Sequence, residues 1–472
     1  MRSTFDPIYI HKMADLLSDG RQLANERGRP ILVSLSRPLD FDPNPVQMFY
    51  AASRIDDIRN FWSKPAEGCW IVGAGKAAEI RVKGVERFQK ATNSLQTILS
   101  SGILDEDEGG PGPIFLGGFS FKLGGSAEEI WEDFPDCLLT LPRFEVVCRG
   151  DCRRWFVINV MTSGETDLNS LLNDIGTQAA ILLEHPVDVP SSDQAFLEPV
   201  TNHWRGNVER VLDQIKDGKL MKVTLARTLK VTSEHSIVPD PVLRSLVANY
   251  PECSVFAFCR KGVCFIGASP EELVSLNGST VSSTCLAGSA PRGASEVEDS
   301  RLSAWLLDNV KERNEHEFVV DWFSERMGKL CRKLQYKSTP DVIRLGNLQH
   351  LETRFVGEPK GAIHILDFLS ELHPTPAVGG IPLDAALETI EIFEEYDRGW
   401  YTGPVGWVDK NGFGSFAIAI RCALLRRNQA ILYAGSGIVE GSDPDREYQE
   451  TNIKFKPLLT ALGIVDASPG KS

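Results

Sequence analysis

The sequence predicts an α/β protein of layered, largely antiparallel sheets with flanking helices. Two observations predict it. Helix-periodic and strand-like segments interleave along the chain. The strands are joined by turn signals rather than by the regular helical crossovers that a parallel sheet requires. At 472 residues the chain can bury a large core. Length alone would suggest two or three domains, although single α/β units of this size also occur.

In the first part, residues 117–121 and 144–147 read as strands, 105–113 as a loop rich in Asp, Glu and Gly, and Leu168–Leu183 as a helix. A second loop, 186–199, divides the chain into an N-terminal part, 1–190, and a part dense in chemistry, 200–462. There Trp204–Lys216 has helical periodicity and residues 222–231 are strand-like. Segments 264–276 and 280–286 flank Asn277-Gly278, a hairpin signal. Residues 296–334 read as one or two amphipathic helices burying Leu302, Leu306, Val310, Phe318, Trp322 and Leu330. Residues 413–425 and 430–439 are two further strands. A final helix is capped by Asp443, with Pro444 at its first position.

Composition narrows the function. The formal charge is −14, with no Lys/Arg block, so neither nucleic acid nor an anionic membrane is an expected partner. An anionic substrate would need a locally basic site or a metal ion. The ten cysteines suggest no disulfide framework. Cys253, Cys259, Cys264, Cys285 and Cys422 sit in apolar segments as small hydrophobes, and Cys148 and Cys152 lack a companion pair for zinc. The N-terminus lacks the apolar core of a signal peptide, and no apolar run is long enough to cross a bilayer. A cytoplasmic location is expected.

Several residues carry potential chemistry. On a strand, Lys222 shares a face with the small residues Thr224, Ala226 and Thr228. Desolvated there it could act as a base, but this segment by itself favours a surface lysine on an edge strand. Glu271 follows Pro270 at a turn, either as a general acid or as a solvated carboxylate. Glu312 and Glu315 share a helix face, as do Glu447, Glu450 and Lys454. Such pairs could hold a hard divalent cation or form an exposed salt-bridge face. Arg421 lies on a strand face with Ala417 and Ala419 and needs an anionic partner, substrate or structural. Two glycine-bearing loops, Ala287-Gly288-Ser289 and Ala434-Gly435-Ser436-Gly437, could bring backbone N–H groups to an anion. Neither is a P-loop or dinucleotide pattern, and there is no HExxH or nucleophile elbow.

Together these segments resemble the chorismate-utilising enzymes. Blocks 222–227, 265–273, 285–293, 311–320, 348–357, 372–382, 398–406, 417–422 and 434–454 match in order and cover most of 200–460; the first 190 residues match loosely. The resemblance implies one large α/β unit, similar to anthranilate synthase component I, with its site in a cleft. It implies magnesium on Glu315 and Glu450, with Glu312 and Glu447 holding the metal's waters. It implies Gly288, Ser289, His350, Ala377, Tyr401, Arg421, Gly435, Gly437 and Lys454 around the substrate, and a structural role for His373. Ammonia-using members have no lysine at the position of Lys222, so water is the expected nucleophile and no glutamine amidotransferase partner is expected. Aminodeoxychorismate synthases commonly carry a lysine where this chain has Ala287, and no tryptophan-binding LLES-type element is visible. The block Leu372-His373-Pro374-Thr375-Pro376-Ala377 is closest to isochorismate synthases, with salicylate synthases the alternative. The expected reaction is reversible, with Lys222 as base and Glu271 as acid. The chain's length leans toward quinone rather than siderophore synthesis.

Overall fold

The computed structural model describes residues 7–122, 129–150, 153–183, 189, 195–197, 203–345 and 348–464. Two large sheets stack face to face. One has thirteen strands and the other ten, and strands from both sides of residue 200 enter each. Among the described pairs only Ile31–Leu39 with Ile103–Glu106 is parallel. Between the sheets lies an aromatic-rich core of Trp62, Trp131, Phe134, Phe256, Phe265, Trp400 and Tyr433. Helices Pro7–Arg27, Leu168–Leu183, Pro239–Asn249 and Pro444–Ala461 bury their apolar stripes against the thirteen-stranded sheet. Helices Arg87–Leu99, Val310–Leu330, Ile365–Leu372 and Leu383–Phe393 contribute to a second cluster with the ten-stranded sheet. No helix among the described residues is long and apolar enough to cross a membrane.

The hairpin at Asn277-Gly278 forms, pairing Glu272–Asn277 with Thr280–Pro291. The 264–276 segment is two strands, however. Val263–Ser269 belongs to the thirteen-stranded sheet and Glu272–Asn277 to the other, with Pro270 and Glu271 at the crossing. Residues 413–425 divide in the same way, into Gly414–Ile418 and Cys422–Arg426. Arg421 stands between them at φ +50°, so it occupies a turn rather than the strand expected for it. The two expected glycine loops are strand: Ala287-Gly288-Ser289 lies in Thr280–Pro291, and residues 434–437 lie in Gln429–Val439.

The 296–334 region is two helices, Glu296–Asp308 and Val310–Leu330, followed by the strand Cys331–Gln335. The second helix buries Glu312, His316, Val319, Phe323 and Met327. Val310 is 70% exposed, and Phe318, Trp322 and Leu330 are only half-buried, as is Leu302 in the first helix, whereas Leu306 is buried as expected. The phase differs because a glutamate and a histidine occupy inward positions that an apolar count assigns outward. Asp105 and Glu106 lie in the short strand Ile103–Glu106 rather than in a loop. Most of 186–199 lies outside the described residues, though Ala195–Leu197 is strand. Cys259 and Cys264 face each other directly across two neighbouring strands and are joined as a disulfide, contrary to expectation. Cys253, Cys285 and Cys422 are free and buried; Cys152 lies outside the described residues.

Candidate active site

One cavity gathers every site residue that the sequence nominates. Lys222, Glu271, Gly288, Ser289, Glu312, Glu315, His350, Ala377, Tyr401, Arg421, Gly435, Gly437, Glu447, Glu450 and Lys454 all line it. It lies where chain segments leave one sheet for the other and where two helices begin. Asn309 caps Val310–Leu330 by accepting from Glu312 N, and Asp443 caps Pro444–Ala461 by accepting from the N–H groups of Asp445 and Arg446. The four carboxylates therefore sit in the first two turns of two helices, with Glu312 and Glu447 in the first turns, where the helix dipoles favour negative charge.

Lys222 opens the strand Lys222–Ser233 and is 1% exposed. A buried lysine nitrogen needs a hydrogen-bond partner. Its Nζ donates to Glu315 Oε1 at 2.8 Å. Gly437, directly across the ladder from Thr224, permits this approach. A Cβ at Gly437 would lie 2.5 Å from Glu315 Oε1 and 3.2 Å from Lys222 Cε. The strand is pinned from behind by a buried pair. Arg398 donates to the carbonyls of Thr224 and Val378, each at 2.8 Å, and to Glu394, which in turn accepts from Ala226 N. Thr224 Oγ1 donates to the Ala377 carbonyl at 2.8 Å. Lys222 and Ala377 are thus held by one network.

Glu271 is buried at the crossing between the sheets, and its Oε1 has no hydrogen-bond partner. Burial pushes its pKa up to about 7, against the opposing charges of Lys222, Arg421 and Lys454. A carboxyl that is part protonated near neutrality is a competent proton donor. His350 is neutral: burial, with Arg421 and Lys454 nearby, drives its pKa down to about 3. Its Nδ1 meets Ser289 Oγ at 3.0 Å, and its Nε2 is buried without a partner. Gly288, at φ +77°, forms a bulge in its strand that lets Ser289 N donate to Glu312 at 2.9 Å. Arg421 and Lys454 bring positive charge to the wall beside Glu271. Lys454 Nζ donates to the Gly435 carbonyl at 2.8 Å and pairs with Glu450. Tyr401 stacks on Tyr433 with ring centroids 5.1 Å apart. His373 is outside the cavity wall, near the Phe121 carbonyl.

Each helix offers two carboxylates. Burial raises the pKa of Glu312 to about 7, and Glu315 adds to the rise. Glu447 is raised by burial and by Glu450. Burial would raise Glu450 too, but Lys454 outweighs it and holds the group below its ordinary value. Among the described residues no group of three or more His, Cys, Asp or Glu stands close enough to hold a metal ion. The carboxylates are instead paired with lysines: Glu315 with Lys222, Glu450 with Lys454, Glu447 with Lys311. The donor set still fits a hard divalent cation. It is all oxygen, it converges on one cavity, and negative charge is crowded there, since Glu315 helps to raise Glu312 and Glu450 helps to raise Glu447.

The sequence reading missed Lys311 and Tyr433 as cavity-lining residues. Lys311 neighbours Glu312 in a matching block; no sequence signal marks Tyr433.

The chain is similar to known proteins along nearly its whole length. The family model described as "Chorismate binding enzyme" matches residues 18–463. An isochorismate synthase of Bacillus subtilis is 34% identical over 452 residues, 93% of this chain and 95% of that protein. A salicylate-biosynthesis isochorismate synthase of Pseudomonas aeruginosa is also 34% identical over 452 residues, 93% of each chain. The menaquinone-specific isochorismate synthase of Escherichia coli shares the fold, with a TM-score of 0.75 at 22% identity over 94% of this chain and 99% of that one.

Proposed function

The chain belongs to the chorismate-binding enzyme family, and from that membership we infer that it is an isochorismate synthase, an isomerase acting on chorismate. The observation that carries the reading of its site is the pairing of two buried groups in one cavity. Lys222 is a lysine with almost no solvent around it, and Glu271 is an acid with a pKa near neutrality and a free oxygen. In the proposed reaction Lys222, as the neutral amine, takes a proton from water. That water attacks ring carbon 2 and the ring double bonds shift. Glu271 donates its proton to the hydroxyl leaving carbon 4. Only a hydroxyl is relocated, so the reaction runs in both directions.

Arg421, Lys454 and the backbone at Gly435–Gly437 are proposed to grip the substrate carboxylates, and His350, Ser289, Gly288 and Tyr401 to shape the ring pocket. We propose residues 200–462 as the chorismate-binding part and 1–190 as the rest of the same α/β unit. Magnesium, held by Glu315 and Glu450 with its waters on Glu312 and Glu447, would neutralise charge beside the reacting ring. In the present arrangement Lys222 donates to Glu315. Its service as base requires Glu315 to take another partner.

A chelator should abolish turnover and magnesium should restore it. Glu315→Gln and Glu450→Ala should each lose most of the activity. Glu315→Gln is preferable to Glu315→Ala because it leaves the buried Lys222 a hydrogen-bond acceptor. Full activity in either variant would remove that residue from the metal site.

Product choice is expected to depend on Ala377, which lines the cavity and has its carbonyl held by Thr224. Ala377→Thr adds bulk and a hydroxyl beside the ring. Some of the isochorismate should then lose pyruvate before release, giving salicylate. A tenfold change in partitioning needs only about 1.4 kcal/mol. Chromatography of the variant's products checks this; isochorismate alone would refute the role of Ala377 and leave the activity untouched.

A further inference from the structure

Beside the candidate active-site cavity lies an outer hollow of about 540 Å³. Ser289, Lys311, Glu312, Glu447 and Glu450 line both spaces and so stand between them. Lys311 projects from the first turn of Val310–Leu330. Its Nζ lies 3.0 Å from Glu447 Oε1 and 3.6 Å from Glu312 Oε1. It therefore bridges carboxylates of both helices. Lys222 and Lys454 have proposed work on the water and the substrate; Lys311 has none so far.

Local charge explains its presence. Glu312, Glu315, Glu447 and Glu450 bring four potential negative charges to one cavity, and desolvation makes their mutual repulsion costly. Burial works against the ammonium of Lys311, yet Glu447 and Glu312 outweigh it and hold its pKa above the ordinary lysine value. A lysine can leave such a position easily. Its stem is flexible, its side chain is 32% exposed, and the outer hollow lies beside it.

We propose that Lys311 is the resident counter-cation of this site, neutralising Glu447 and Glu312 without metal and competing with the divalent ion for them. The proposal rests on the metal reading above. The metal's waters and the ammonium draw on the same two carboxylates, and the two cations repel each other, so uptake of one displaces the other. The consequence has a definite sign. A lysine that merely shaped the carboxylates for coordination would weaken metal binding when removed. A competing cation would strengthen it.

The test is titration calorimetry of magnesium alone into the full chain, at fixed pH and ionic strength, for the parent, Lys311→Met and Lys311→Arg. Lys311→Met should bind magnesium about tenfold more tightly, because a like charge and a competitor are both gone. Lys311→Arg keeps the charge and should bind no more tightly than the parent. The thermal midpoint gives a second readout. Lys311→Met should melt below the parent in chelator and gain more from magnesium than the parent does. Should Lys311→Met fail to fold, Lys311→Gln, which retains a donor, carries the same expectations. Equal or weaker magnesium binding by the neutral variant overturns the proposal while leaving the metal reading intact. A parent that takes up no magnesium removes both.

Discussion

Lys222→Ala is expected to bind chorismate and fail to convert it. Arg421 and Lys454 remain to hold the substrate, so equilibrium binding should persist. The proposed base is gone, and loss of a general base costs about two to four orders of magnitude in rate. The fold should survive, since Lys222 opens its strand and the Arg398–Glu394 network still holds Thr224 and Ala226 in register. Steady-state kinetics with a binding titration on the same sample make the check. A variant turning over at a tenth of the parental rate would show that another group takes the proton from water.

Glu271→Gln should be similarly inactive for a different reason. It keeps the shape of the buried side chain and lacks the donated proton. The pH dependence should identify the group. With a pKa near 7, Glu271 is a proton donor below that value and a carboxylate above it. For turnover of chorismate, kcat/KM, which reports the free enzyme, should fall as pH rises through about 7. Whatever activity Glu271→Gln retains should lack that alkaline limb. A limb that persists unchanged would belong to some other acid.

The legibility of the sequence varied with what each segment must satisfy. Trp204–Lys216 and Leu168–Leu183 are helices over the expected residues because their apolar periodicity is set by packing alone. Val310–Leu330 was misphased because Glu312 and His316 take inward places that packing would give to Val310 or Phe318. The break at Arg421 was hidden because an arginine, not a glycine, carries the positive φ there. Glycines 435 and 437 suggested loops, whereas they thin a strand so that other side chains can approach it. Motif resemblance nominates the candidate site residues, and one cavity gathers them. How their charges pair was not readable. Lys222 with Glu315 joins positions 93 apart, a contact created only when Val310–Leu330 packs beside the strand Lys222–Ser233.

The most direct measurement is to incubate purified protein with chorismate and magnesium at neutral pH and resolve the products by chromatography. Isochorismate should form without another enzyme or a nitrogen donor, and isochorismate supplied instead should return chorismate to the same final ratio. Salicylate and pyruvate as main products, or no turnover of either compound, would contradict the proposed activity.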